Sequence, residues 1–243
     1  MSLQPHHSGD SHLNVHKCSI PWLLFGCALT VLSANASPED IRQYTFSEKT
    51  GSARSSDTWI IRHTGKRMEI RWIGSDKSFY NLCDQAGNTL EWRFRDGTEE
   101  VTARRSGNLI LLSGNRDGRK FHKDLTIDKS PWFQPISYAL GRFSQSHLDR
   151  VVFWTIRPDN LDIVKLQARR NGEEQISTGA GPLLAYKIHI SLDGILSHFW
   201  KASYWFRKDD GLFIRYEGVN GLPGTPTTTI QIDGQSGIRE GKP

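Results

Sequence analysis

From Tyr44 onward the chain is written in short apolar stretches, rich in aromatic and β-branched residues and separated by Gly, Asn, Asp and Ser. That is the punctuation of an all-β domain, because branched and ring side chains fill a pleated surface while small polar residues supply the turns. Leu90-Glu91-Trp92-Arg93-Phe94-Arg95 alternates strictly. Successive strand side chains point to opposite faces, so Leu90, Trp92 and Phe94 form a dry face and Glu91, Arg93 and Arg95 a wet one. The pattern predicts strands over 58–63, 67–73, 78–83 and 89–95, with connections such as Thr64-Gly65-Lys66 and Gln85-Ala86-Gly87-Asn88 that are short enough for hairpins. Further strands are predicted over 101–104, 109–113 and 121–127, then over 151–156, 163–169, 183–192, 198–206, 212–217 and 227–232.

The break between the two runs reads as a helix. Ile136, Leu140 and Phe143 recur at helical spacing up to about Ser146, and Ser130 followed by Pro131 reads as a cap with proline in the first turn. From Asp233 the chain turns polar and Gly-rich, which predicts a flexible tail over 233–243. The expected fold is therefore mostly β: a single antiparallel curved sheet or half-open β-barrel with one short helix, in a single domain over 37–232.

Ahead of that domain, Lys17 precedes an apolar run from Ile20 to Leu32, and the run ends at Ala34-Asn35-Ala36. This reads as a signal peptide over 1–36 with cleavage near Ala36, which places the mature chain in the periplasm or outside the cell. Leu24-Phe25-Gly26-Cys27 is similar to a lipoprotein box, so lipidation at Cys27 is the alternative, although the run stays apolar beyond that cysteine. Cleavage removes Cys18 and Cys27 and leaves Cys83 alone, so packing rather than an internal disulfide must stabilise a monomer. Within Phe79-Tyr80-Asn81-Leu82-Cys83 that thiol reads as a small buried apolar group.

The formal net charge of +5 survives loss of the leader, since one base and one acid go with it. The bases are spread through many strands with acids between them, the pattern of a solvated sheet face, so nucleic acid is not an expected partner. Membrane contact is expected through the signal peptide or lipidation and not otherwise. The chain has no G-x-S-x-G elbow, no phosphate-cradling G-x-x-x-x-G-K-[ST], no H-E-x-x-H and no C-x-x-C. Each of those chemistries needs its own geometry, so no cofactor, metal or catalytic residue is assigned. His122 and Asp124 share a side of their strand and read as its polar face, whereas His189, Asp193, His198 and Tyr204 gather near one turn and keep a hydrolase or lyase open as an alternative.

Phe199, Trp200, Tyr204, Trp205 and Phe206 crowd into eight positions, with Tyr216 after a turn. Period two puts Trp200, Tyr204 and Phe206 on one face, where such density fills a core or lines an apolar groove. Val164-Lys165-Leu166, Leu184-Ala185-Tyr186-Lys187-Ile188 and Tyr204-Trp205-Phe206-Arg207-Lys208-Asp209-Asp210-Gly211-Leu212 resemble an uncharacterised family of exported bacterial proteins, known as a domain of unknown function. The resemblance covers roughly the last third of the chain and implies a curved antiparallel sheet similar to periplasmic lipoprotein carriers. It also marks the A-Y-K-I strand and a base on the strand after the aromatic one, here Arg215. The expected ligand-binding residues are thus Trp200, Tyr204, Phe206, Tyr186 and Arg215. The expected function is a non-catalytic exported binding module for an apolar or amphipathic ligand such as a lipid, with an envelope structural or interaction protein as the alternative.

Overall fold

Two runs of antiparallel hairpins build the molecule. The first comprises β1 (Asp40–Thr50), β2 (Ala53–Thr64), β3 (Arg67–Ile73), β4 (Lys77–Asp84), β5 (Thr89–Asp96), β6 (Glu99–Ser106), β7 (Leu109–Arg116) and β8 (Arg119–Thr126). After the helix α1 (Ile136–Ser144), the second comprises β9 (Arg150–Ile156), β10 (Ile163–Thr178), β11 (Gly181–Leu192), β12 (Lys201–Arg207), β13 (Phe213–Val219) and β14 (Thr227–Glu240). They fuse where β14 pairs with β1, giving one 14-stranded sheet with β8 and β9 at its edges. The computed structural model describes residues 40–179, 181–194, 200–219 and 225–240, with backbone alone over 234–240. The expected leader, Cys27, His198 and Phe199 lie outside the described residues.

The strands read from alternation are present with ends shifted by a few residues. Two expectations meet a different arrangement. Where a tail is expected, β14 runs to Glu240, and Asp40 pairs with Glu240. Ladder hydrogen bonds come from the backbone, so the first half of β1 can capture a polar, Gly-rich partner that composition alone assigns to a tail. Ser130-Pro131 does not cap the helix either. The helix begins at Ile136 behind Pro135 with no side-chain cap, and the chain ahead of it is extended, with Trp132 bridging Trp154.

Strand twist, helped by bulges between Arg42 and Gln43, Thr45 and Phe46, and Arg170 and Glu173, rolls the sheet. The edges do not pair; they are linked by a strap and a turn. Thr89 N–H donates to the Trp132 carbonyl at 2.8 Å, Trp154 N–H to Pro131 at 2.8 Å, and Lys123 reaches Asp162 across the gap at 3.0 Å. Under the strap, Trp92 and Phe94 stack at 5.8 Å in a core that takes in Trp132, Ile156 and Leu161. A larger core fills the concavity of the remaining strands and is covered by Ala139, Leu140 and Phe143 of α1.

The helix is seated between two turns. A Cβ on Gly87 would stand 3.1 Å from Ala139 Cα, and one on Gly211 would stand 2.5 Å from the Gly141 carbonyl oxygen. Arg142 fixes the first side by donating to the Gln85 carbonyl, and Gln145 fixes the second by donating to the Lys208 carbonyl at 3.2 Å. Gly141→Ala, a change that favours an isolated helix, should therefore destabilise this one by about 1–3 kcal/mol through overpacking. Urea unfolding checks it, and an unchanged or raised midpoint would show that α1 does not sit on Gly211.

Candidate functional site

On β1 one face reads Asp40, Arg42, Tyr44, Phe46, passing from charge to aromatic ring within seven residues. The facing positions of β2 are His63, Ile61, Trp59 and Asp57, and the register sets Asp40 opposite His63, Arg42 opposite Ile61 and Tyr44 opposite Trp59. Between these strands and α1 lies a cavity of about 230 Å³. The helix contributes Ser137, Tyr138, Gly141 and Arg142, and the β12–β13 turn contributes Asp210 to Phe213. Phe46 packs on Trp59 at 6.0 Å and on Phe213 at 5.3 Å, so one wall is a continuous aromatic surface. Charged groups occupy the end nearer the start of β1.

The charges at the mouth are organised in pairs. Arg42 donates to Asp40 at 3.0 Å, a bond that raises the pKa of the guanidinium against the opposing effect of burial. Arg207 grips Asp210 through two bonds, at 2.8 and 2.5 Å. Burial works against the Asp210 carboxylate, but Arg207 and the Leu212 amide more than offset it and hold its pKa below the ordinary value. Burial lowers the His63 pKa, with Arg42 and Arg142 pushing the same way and Asp40 opposing, so the imidazole is neutral at pH 7. Beyond the aromatic wall the same face ends in Glu48 and Asp57. Burial raises both pKa values, and Asp57 adds its charge against Glu48.

The five residues expected to bind ligand do not share one cavity. Phe206 is fully buried and stacks on Tyr204 at 6.2 Å, and Tyr204 meets the edge of Tyr216 at 4.9 Å. These rings stand behind the cavity wall, linked to it through Phe213, which is 5.9 Å from both Tyr204 and Phe206. Burial pushes the Tyr204 hydroxyl pKa up, and that of Tyr216 up to about 12. Trp200 precedes β12 and donates from its indole to the Val219 carbonyl at 2.8 Å. Tyr186 lines a separate polar hollow of about 320 Å³ with Ser144, His147 and Asp149, and Arg170 lies over its ring at 4.6 Å. Arg215 is on the opposite face of the sheet, over the Trp205 ring at 5.3 Å and bonded to Glu217. The residues that do line the cavity from β1 were missed because that strand was read from Tyr44 onward; its signal was the alternation from Asp40.

The set that kept hydrolysis open does not converge among the described residues. His189 contacts Asn171 at 3.2 Å, Asp193 pairs with Arg150 at 2.9 Å, and Tyr204 faces the interior from the strand face opposite to that of His189's partner Ser203. His122 and Asp124 do meet, at 2.9 Å, on an exposed surface. Cys83 is buried, and burial pushes its thiol up to about 12. Among the described residues no three His, Cys, Asp or Glu gather as a metal site.

Two measurements test these placements. Phe206→Ala should cost about 3–5 kcal/mol of stability, as for any fully buried ring, and a cost under about 1 kcal/mol would move it out of the core. Asp57 is 6% exposed and its folded pKa lies above the unfolded value. Its contribution is therefore favourable below the unfolded pKa and is lost as pH rises through the folded one. Asp57→Asn should melt higher than the parent at pH 7, with the gain vanishing below about pH 4; equal melting at both pH values refutes the assignment.

No protein-family model and no curated protein sequence matches the chain. Among solved structures, the chain is similar to a β-barrel-like protein of the domain of unknown function DUF1849 from Brucella abortus, with a TM-score of 0.57 at 7% identity, covering 79% of this chain and 95% of that one. The hypothetical lipoprotein YmcC from Escherichia coli aligns at a TM-score of 0.36 and 8% identity over 81% of this chain and 86% of that one. A LolA superfamily protein from Nitrosomonas europaea aligns at 0.24 and 8% over 84% and 88%. What the Brucella protein shares with this chain is the fold, a curved β-barrel-like sheet, in keeping with the resemblance read from the last third of the sequence.

Proposed function

We propose that the protein is an exported binding module that holds an apolar or amphipathic ligand in the cavity beside α1. The observation that carries this reading is the gradient along β1 and β2: a charged mouth at Asp40, Arg42 and His63 leads directly to the aromatic wall of Tyr44, Phe46 and Trp59. Concave apolar space with a few polar groups at one end is the usual form of a small-molecule site. A cavity of about 230 Å³ exceeds the roughly 150 Å³ that admits a benzene ring, so it has room for a single apolar group. The envelope location rests on the leader read over 1–36.

The alternative of a structural or interaction protein expects a contiguous apolar patch. Among the described residues, the large exposed hydrophobics, Ile73, Leu109, Leu148 and Leu184, sit on four separate segments, which favours the cavity. The neutral dye N-phenyl-1-naphthylamine tests the reading. It should bind saturably with a rise in fluorescence, Leu212→Trp should abolish that binding by filling the cavity, and Trp200→Ala should leave it intact. Absence of saturable binding, or undiminished binding by a folded Leu212→Trp, would overturn the proposal.

A further inference from the structure

The charges of the mouth specify the polar end of the ligand. Both carboxylates that line the cavity already have a guanidinium: Asp40 has Arg42 at 2.9 Å, and Asp210 has Arg207 at 2.5 Å. Arg142 is held differently. Its Nε and Nη2 both donate to the Gln85 carbonyl oxygen, at 3.1 and 3.0 Å. A carbonyl orients the guanidinium without neutralising it, and the fork that remains, with three further N–H groups, matches a carboxylate in geometry. Counting Arg207 with the lining residues, three guanidinium groups face two carboxylates, so the mouth carries an excess of one positive charge. His63 stays neutral beside it and adds no second charge.

One unmatched monocation suits a singly charged head better than a phosphate dianion. The tail is limited by volume, because about 230 Å³ lies below the roughly 300–1,000 Å³ of drug-sized sites. That space suits one chain and excludes a head bearing several. We propose that the cavity takes a single-chain carboxylic acid of medium length, its carboxylate on Arg142 and its chain against Tyr44, Phe46, Trp59 and Phe213. This rests on the reading of the cavity as the ligand site.

The test is displacement of N-phenyl-1-naphthylamine from the full chain by decanoate, decanol and decyltrimethylammonium at pH 7.5, for the parent, Arg142→Gln and Arg142→Lys. Decanoate should displace the dye at about tenfold lower concentration than decanol, the scale of one charge-assisted hydrogen-bonded pair, and the cation should be weakest. Arg142→Gln should bring decanoate within about twofold of decanol measured on the same variant, and Arg142→Lys should retain part of the preference. Equal displacement by acid and alcohol in the parent, or a preference that survives in Arg142→Gln, overturns the carboxylate assignment and leaves the cavity reading standing. Saturable dye binding that none of the three compounds reverses, or no dye binding at all, overturns the cavity reading and this one with it. Because Arg142 also tethers α1, the acid-to-alcohol ratio is read within each variant, so a shifted helix moves both displacements together and leaves the ratio as the measure.

Discussion

A curved sheet that stops short of closing leaves a concave apolar face, and covering that face is the constraint on which the rest of this structure depends. The strap over 127–135 and α1 do the covering, and they come from the connection between the two edge strands. Because the cover is a nine-residue helix and not a second sheet, it protects part of the concavity and leaves a gap beside β1 and β2. The cavity is thus a by-product of how the edges are joined. Its polar mouth follows from the same cause, since the strand ends and turns that meet the helix carry charged residues while the strand middles carry rings.

Two kinds of buried polarity sit within this frame. On the outward face, Glu174, Lys187, Trp205 and Arg215 form a connected ladder in which the carboxylate bonds both the ammonium, at 2.7 Å, and the indole, at 2.8 Å. Each charge there has a partner, and the cations lie over the ring that would otherwise be an exposed apolar surface. On the inward face, burial raises the pKa of both Glu48 and Asp57, opposed by side-chain bonds to Thr50 and Trp72 respectively, and Asp57 adds its charge against Glu48.

The strands were legible in the sequence because a two-residue period is local information: Leu90 to Arg95 declares its two faces without reference to any other part of the chain. The helix was legible for the same reason at Ile136, Leu140 and Phe143. Its start was not, because Pro131 is held by Trp154, whose place beside it is fixed only in three dimensions. The cavity was harder to read for a related reason. Periodicity put Tyr204 and Phe206 on the inner face correctly, but which part of that face stays uncovered depends on where α1 lands, and that is set by close approach at Gly87 and Gly211. Those glycines look like ordinary turn residues in the text.

The pairing of β1 with β14 has a kinetic meaning. Nearly every other ladder joins strands that are adjacent in the chain, so each run of hairpins can assemble from local contacts, the fast class of folding event. The β1–β14 ladder joins Asp40 to Glu240 and therefore closes a loop of almost the whole domain. Until the last strand is available, β1 is an unpaired edge with a row of open hydrogen-bonding groups. A chain arranged in this way joins its two runs of hairpins only when β14 reaches β1, the contact of longest sequence separation in the sheet.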